Sequence, residues 1–331
     1  MEMNTYLKIN SVKMSLTRGQ SAWNTKKISS ETQRSAFSSK RLLLADSINF
    51  NNWLVGIADG DGTFRFGTTK KNVWSFSFQI NQSSANAQLL YFIKSALGVG
   101  QVTIDEKNER AIYRLRKKDL IISQVLPIFD THPLLTKNKH FKYSLFRQAI
   151  LTSIDPSLSA QEKTQQISNL DLQYLNVPKD YLSPVWSKVG PNLPEFKAEI
   201  TQIIHKSWLV GFTEAEGSFY IVRKSKTQLV HAFEITQKDE TVLMRGIALV
   251  LGLKVIDKRT HSTIITTKQE RIQFISDFFF KTMKGTKSLE YRIWARSFTK
   301  RSRGFDYLFD IREKMRKIRS IRLGKNFKKM S

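Results

Sequence analysis

Two stretches of the chain, "LVGIADGDG" (54–62) and "LVGFTEAEG" (209–217), run from apolar residues through two acids to a glycine. Within each, the acids stand two positions apart, which on a helix separates them by roughly 200°. Only one of each pair can face a common centre, and Asp61 and Glu216, beside Gly62 and Gly217, are the ones at the helix ends. Gly56 and Gly60 share one helix face, as do Gly211 and Ala215, so two such helices could touch backbone to backbone. That contact would set Asp61 against Glu216, an unfavourable place for two charges unless divalent cations lie between them. Hard oxygen ligands suit Mg²⁺, which binds through one or two carboxylates plus substrate phosphates. The chemistry implied is metal-dependent phosphodiester cleavage. Simple capping accounts for the glycines but not for the acids, which oppose the helix dipole there. A calcium loop beginning at Asp59 is excluded, because its sixth and twelfth places hold Phe64 and Lys70.

Composition points to a partner of matching charge. The 331 residues carry 54 Lys and Arg against 28 Asp and Glu, a formal net charge of +26, which calls for a polyanion. No apolar run approaches the roughly 18 residues of a membrane span, so no membrane partner is expected. Zinc chemistry is excluded by the absence of cysteine and by five histidines that never fall at an i, i+4 spacing.

The acids must be positioned by repeated elements. Trp53 and Trp208 are 155 positions apart, and "FQINQ" (78–82) stands at the same offset from "FEITQ" (233–237). Each unit is expected to run helix, strands, helix, strands, helix. "VWSFSFQI" alternates Trp74, Phe76, Phe78 and Ile80 with Ser75, Ser77 and Gln79, which is a strand with one apolar and one polar face. "AIYRLRKK" puts Tyr113 and Leu115 on one face and Arg114 and Arg116 on the other. Residues 1–47 are set apart as a basic arm or targeting segment, with seven Lys or Arg and two acids in the first 40. The first domain is expected over 48–155. A Pro-rich linker, holding five of the seven prolines, is expected over 156–198, and the second domain with a basic C-terminal helix over 199–331.

At these residues the sequence resembles the LAGLIDADG homing endonuclease family in its single-chain, two-motif form, over roughly 48–300. The resemblance implies an α+β fold: two αββαββα domains related by a pseudo-two-fold axis, their antiparallel sheets forming a saddle on DNA, with the motif helices paired between them. It implies a monomer that makes a staggered break with short 3′ overhangs in a long asymmetric DNA target; an intron-RNA maturase is the alternative. It makes Asp61 and Glu216 the Mg²⁺ ligands, with Ca²⁺ or Mn²⁺ as substitutes, and adds Gly60 and Ala215 to the metal set. Asp59 and Glu214 become structural. Gln82 and Gln237 match the family's water-organising position, and Lys139 and Lys287, each with a Tyr four residues on, match its late lysine; Lys137 and Lys284 are the competing registers. Gln82 has the parity of the buried strand face, which a strand end or a bulge at Asn81 would resolve. Candidates for base contact are Arg65, Ser75, Ser77, Gln79, Arg114 and Arg116 in the first half. In the second half they are Tyr220, Val222, Arg223, Glu234 and Lys258. The loops 68–72 and 223–228 would extend that surface. The basic tail from Lys300 to Lys329 is expected to touch phosphates. A mitochondrial location is implied first and a chloroplast second.

Overall fold

The protein is described from a computed structural model, which covers residues 48–70, 73–189, 197–300 and 304–322. The basic arm 1–47, Lys71 and Asn72, Pro191 and Pro194, and the tail beyond 322 lie outside the described residues.

Asn49 caps helix α1 (Phe50–Asp61) by accepting a hydrogen bond from the Asn52 amide at 3.0 Å. The helix passes without a loop into strand β1 (Gly62–Thr68), which pairs with β2 (Trp74–Ser83). Helix α2 (Ala87–Leu97) follows, then the hairpin β3 (Gln101–Asp105) and β4 (Arg110–Leu115). A helical run ending in α3 (Leu126–Thr131) completes the expected αββαββα order and leads into a further helix, α4 (Lys137–Thr152). The second half repeats the plan: α7 (Lys206–Glu216), β5 (Gly217–Arg223), β6 (Leu229–Gln237), α8 (Thr241–Leu251), β7 (Val255–Asp257), β8 (Ser262–Thr266), α9 (Gln269–Phe278) and α10 (Lys287–Thr299). Each half carries one antiparallel four-stranded sheet, ordered β1-β2-β4-β3 and β5-β6-β8-β7.

The inward sheet faces supply the core. Phe64 stacks on Phe78 and meets Phe129, Tyr143 and Phe146 from the helices behind. In the second half Phe219 meets Phe233, Phe279, Tyr291 and Trp294 in the same way. The tyrosines that follow the late lysines are thus core supports beneath each first strand.

The proline-rich segment is folded over much of its length. It contains α5 (Ala160–Tyr174), opened by a capping box between Ser159 and Glu162, and α6 (Lys197–Ile203). Ile167, Leu170 and Trp186 are buried. The Tyr174 hydroxyl donates to the Phe64 carbonyl on the open edge of β1. At the equivalent edge of β5, Arg319 of the C-terminal helix α11 (Phe305–Arg322) donates to the Phe219 carbonyl at 3.0 Å. Both outer edges are closed by a side chain, which blocks further strand pairing.

The halves meet through α1 and α7, and the small residues are obligatory there. A Cβ on Gly56 would stand 2.0 Å from the Trp208 carbonyl oxygen, and one on Gly211 would stand 2.1 Å from that of Trp53. Gly62 and Gly217 end the helices as the capping positions expected from sequence, but without a left-handed turn. Both are extended, with φ of −75° and −76°, and a side chain would strike the preceding helical turn at Ala58 and Thr213.

Gly211→Ala is expected to cost about 2 kcal/mol or more of unfolding free energy, since backbone rather than a flexible side chain must yield. Gly67→Ala, with nothing within 4 Å of the added carbon, serves as the neutral control in the same denaturant titration.

Candidate active site

The helix contact sorts the four acids into two kinds. Asp59 and Glu214 point away from the cleft and are buried at 3% and 5% exposure. Asp59 accepts from the amides of Leu135 and Thr136 at 2.9 and 3.0 Å, from the Thr136 hydroxyl at 2.7 Å and from Trp208 Nε1 at 2.8 Å. Glu214 accepts from the amides of Lys284 and Gly285 at 2.8 and 2.5 Å and from Trp53 Nε1 at 2.9 Å. Each tryptophan of one motif helix therefore binds the inner acid of the other, and each acid ties its own helix to the chain entering α4 or α10. Burial pushes the Asp59 carboxyl up to about 6, against the pull of its donors.

Asp61 and Glu216 face each other at the helix ends. A Cβ on Gly60 would touch the Ala215 Cβ at 2.3 Å and the Glu216 Oε1 at 3.2 Å, so Gly60 and Ala215 form the floor between the two acids. Burial, followed by the charge of Glu216, pushes Asp61 up to about 6, while Lys287, Gln82 and Lys139 act in the opposite direction. Net opposition of this kind is relieved by a cation. Among the described residues no group of three or more His, Asp or Glu side chains could hold a metal unaided. Two carboxylates and nearby carbonyl oxygens fit a hard divalent ion whose shell is completed by water and substrate phosphate.

The two late lysines occupy matching places. Lys139 Nζ donates to the Gly62 carbonyl at 2.6 Å, and Lys287 Nζ donates to the Gly217 carbonyl at 2.6 Å. Lys287, 3% exposed, also donates to the carbonyls of Thr213 and Ala215 at 2.9 and 3.3 Å. Burial lowers the Lys139 pKa, opposed by the carboxylates of Asp61, Asp59 and Glu216. Of the competing lysines, Lys284 has its ammonium over the Phe92 ring at 5.5 Å, and Lys137 opens α4 with its amide donating to Glu240.

Gln82 donates to Asp61 Oδ2 at 2.6 Å. No bulge frees it, since Asn81 and Gln82 stay in register with Ile112 and Ala111. It reaches Asp61 because β1 has ended its pairing at Ile80, leaving the helix-facing side of β2 open at its end. Gln237 occupies the same place in β6, but no bond from it to Glu216 is formed, so the halves are not equivalent at this position.

Two residues of the site have no signal in the motifs. Asn86, 5% exposed, donates to Gln82 Oε1 at 2.8 Å and accepts from the Thr286 amide at 2.8 Å. A chain of hydrogen bonds thus runs from the start of α10 in one half to Asp61 in the other. Conversely, Glu240 of the second half accepts from the Lys137 amide at the start of α4, at 2.9 Å, and burial pushes its carboxyl up to about 8. Both caps cross between the halves. A polar residue immediately before α2 and before α8, at nearly the same place in the repeat, was the available hint.

The expected base-contact residues divide by strand parity. Arg65, Ser75, Ser77, Gln79 and Arg114 face away from the helices, and Ser77, Gln79 and Arg114 are linked by hydrogen bonds of 2.8 and 3.3 Å. Arg116 follows the last residue of β4 and is exposed. Tyr220, Val222 and Glu234 share the outward face of the second sheet. Arg223 does not: its register with buried Leu229 puts it on the helix side, where its guanidinium lies 5.1 Å over the Phe305 ring. Lys258 sits in the β7–β8 turn, its amide donating to the His261 carbonyl at 2.9 Å. The basic helix expected in the tail is present as α11, with Leu308 and Met315 packed into the core. No helix of the described residues is long and apolar enough to cross a membrane.

A model of the LAGLIDADG endonuclease family matches residues 54–150 and 209–298. A probable intron-encoded endonuclease, Cox1-I1b of Schizosaccharomyces pombe, is 37% identical over 300 residues, covering 87% of this chain and 73% of that protein. Probable intron-encoded endonuclease 4 of Neurospora crassa is 28% identical over 288 residues, covering 84% of this chain and 44% of its own length. Among solved structures, the I-SmaMI LAGLIDADG homing endonuclease bound to cleaved DNA superposes with a TM-score of 0.63 at 23% identity, over 84% of this chain and 97% of that one. That likeness fixes the fold: two pseudo-symmetric halves around paired motif helices.

The crossed chain through Asn86 gives a separable prediction. Asn86→Asp keeps an acceptor for the Thr286 amide but cannot donate to Gln82, and its buried carboxylate, facing Gln82 Oε1, costs some thermal stability. Metal-dependent cleavage by this variant is expected to slow about tenfold or more, whereas unchanged rate with lost stability would make Asn86 a cap only.

Proposed function

Because the chain belongs to the LAGLIDADG endonuclease family, we propose that it is a site-specific homing endonuclease. It cuts both strands of a long asymmetric DNA target, leaving short 3′ overhangs, with divalent metal held between Asp61 and Glu216. The observation that carries this reading is the opposition of two acids at the ends of touching helices, a cost that a binding protein has no need to bear. The rival role of intron-RNA maturase gives those acids nothing to do.

When bound, the metal supplies Lewis-acid stabilisation of the phosphate and an acidified water. Mg²⁺ is the ion proposed, with Ca²⁺ or Mn²⁺ able to occupy the same ligands. Asp61 and Glu216 would hold it, aided by the backbone at Gly60 and Ala215. Gln82, fixed by Asp61 and Asn86, orients the carboxylate and the solvent beside it; Gln237 is free to turn toward solvent beside Glu216. Lys139 and Lys287, anchored on the carbonyls where each helix enters its strand, place positive charge where a scissile phosphate gains negative charge. The two sheets lay their outward faces on DNA, and a duplicated chain with unequal halves acts as a monomer on an unequal site. We assign its action to a mitochondrion, with a chloroplast second, from the basic, acid-poor composition of residues 1–40.

Incubation with Mg²⁺ and a library of intronless alleles from the host genome, followed by sequencing of cut ends, tests the reading. One defined site with recessed 5′ ends is expected, and no cleavage of any allele would overturn it. Lys139→Met is expected to reduce the cleavage rate about 100-fold, while Lys137→Met is expected to leave it within twofold of the parent.

A further inference from the structure

The two outward sheet faces can be compared position by position, because the 155-residue offset holds through both hairpins. Arg65 becomes Tyr220, Gly67 becomes Val222, Ser75 becomes Val230, and Ser77 becomes Ala232. On the next strand Arg114 lies opposite Gln79, while in the second sheet Ile265 lies opposite Glu234. The first face thus carries two arginines and an amide where the second carries Tyr220, Ile265 and Glu234, and two of its serines give way to Val230 and Ala232. Arg65, Arg110 and Arg114 stand at outward strand positions of the first sheet, and β5, β6, β7 and β8 have no lysine or arginine at theirs. In the second sheet's hairpins the basic residues lie instead in the turns, at Lys224, Lys226, Lys258 and Arg259, all exposed.

Local hydrogen bonding sharpens the contrast. Arg114 leans on Gln79, its Nη2 donating to Gln79 Oε1 at 3.3 Å, so the guanidinium is held on the outward face. Glu234, at the place of Gln79, accepts from the Tyr220 hydroxyl at 2.6 Å and from Thr236 at 3.1 Å. It carries oxygens only and can take a hydrogen bond from a base but not give one. Guanine offers two acceptors in the major groove, cytosine and adenine offer an amino donor, and thymine offers a methyl group that prefers apolar contact. Charges in turns reach phosphates, which position the protein without reading sequence.

Resting on the endonuclease reading, we propose that the two halves take DNA half-sites of different base chemistry. The first sheet binds a half-site with G·C pairs fixed by Arg65 and Arg114. The second binds an A·T-rich half-site through thymine methyl groups on Val222, Val230 and Ile265, with Glu234 accepting from one base amino group. The target is then asymmetric in composition as well as in sequence, and its polarity on the enzyme is set by which face lacks arginine.

Selection of duplexes from a randomised pool by the full chain, with Ca²⁺ in place of Mg²⁺, tests this. The enriched duplexes are expected to hold fixed G·C pairs on one side of the centre and A·T pairs on the other. Arg65→Ala and Arg114→Ala, tried separately in case one disturbs folding, should each relax a G·C position about tenfold, and both on the same side. Ile265→Arg should convert a thymine preference on the opposite side into one for guanine. Enrichment with equal composition on both sides, or arginine and Ile265 variants acting on the same side, would overturn the proposal and leave the endonuclease reading standing. A pool that enriches no duplex would remove both.

Discussion

The structure depends on two helices that touch with no side chains between them. At Gly56 against Trp208, and at Gly211 against Trp53, backbone meets backbone, and any Cβ would have to displace a carbonyl. This close approach lets Trp53 reach Glu214 and Trp208 reach Asp59, and those bonds in turn satisfy two carboxylates that burial alone would make costly. The same approach leaves Asp61 and Glu216 facing each other at the cleft. Stabilising and destabilising charges are therefore products of one contact. The inner acids are met by donors from the protein, and the outer acids are left for a ligand to meet.

The halves are also joined away from the helices. Asn86 caps the start of α10 and Glu240 caps the start of α4, each from the opposite half. Since α4 and α10 begin with Lys137 and Lys287, and Lys139 and Lys287 lie on the carbonyls of Gly62 and Gly217, a shift of one half would move the ammonium groups of the other. Through Gln82 the Asn86 link extends to Asp61 itself. The geometry of the site thus belongs to the pair of halves, although the wiring is uneven: the first half has a bonded glutamine and the second does not.

Much of this was legible because duplication writes each signal twice. The apolar run, the glycine spacing and the acid parity gave the helix pairing, whereas the lysine register stayed open in the sequence, and it is in the structure that Lys139 and Lys287 lie on the carbonyls of Gly62 and Gly217. The strand alternation put Gln79 and Arg114 on the polar face, and the register turns both away from the helices. The same parity argument, applied from Phe219 and Ile221, would have turned Arg223 inward; a basic residue at a strand end drew attention away from it. Proline marked 156–198 as irregular, yet Ser159 and Glu162 three residues apart announced the helix that follows. The crossed caps were hidden for a physical reason. Each joins residues of opposite halves, and no periodicity within one half encodes a partner in the other.

The central claim is that Asp61 and Glu216 form one shared site rather than two sites side by side. Strand-resolved cleavage of a duplex labelled on both strands, by Asp61→Asn, Glu216→Gln and the double variant, addresses it directly. A shared site predicts that either single variant loses cutting of both strands and that the double variant loses no more, since groups acting as a unit are not additive. Full-rate nicking of one strand by one variant and of the other strand by the second would contradict it.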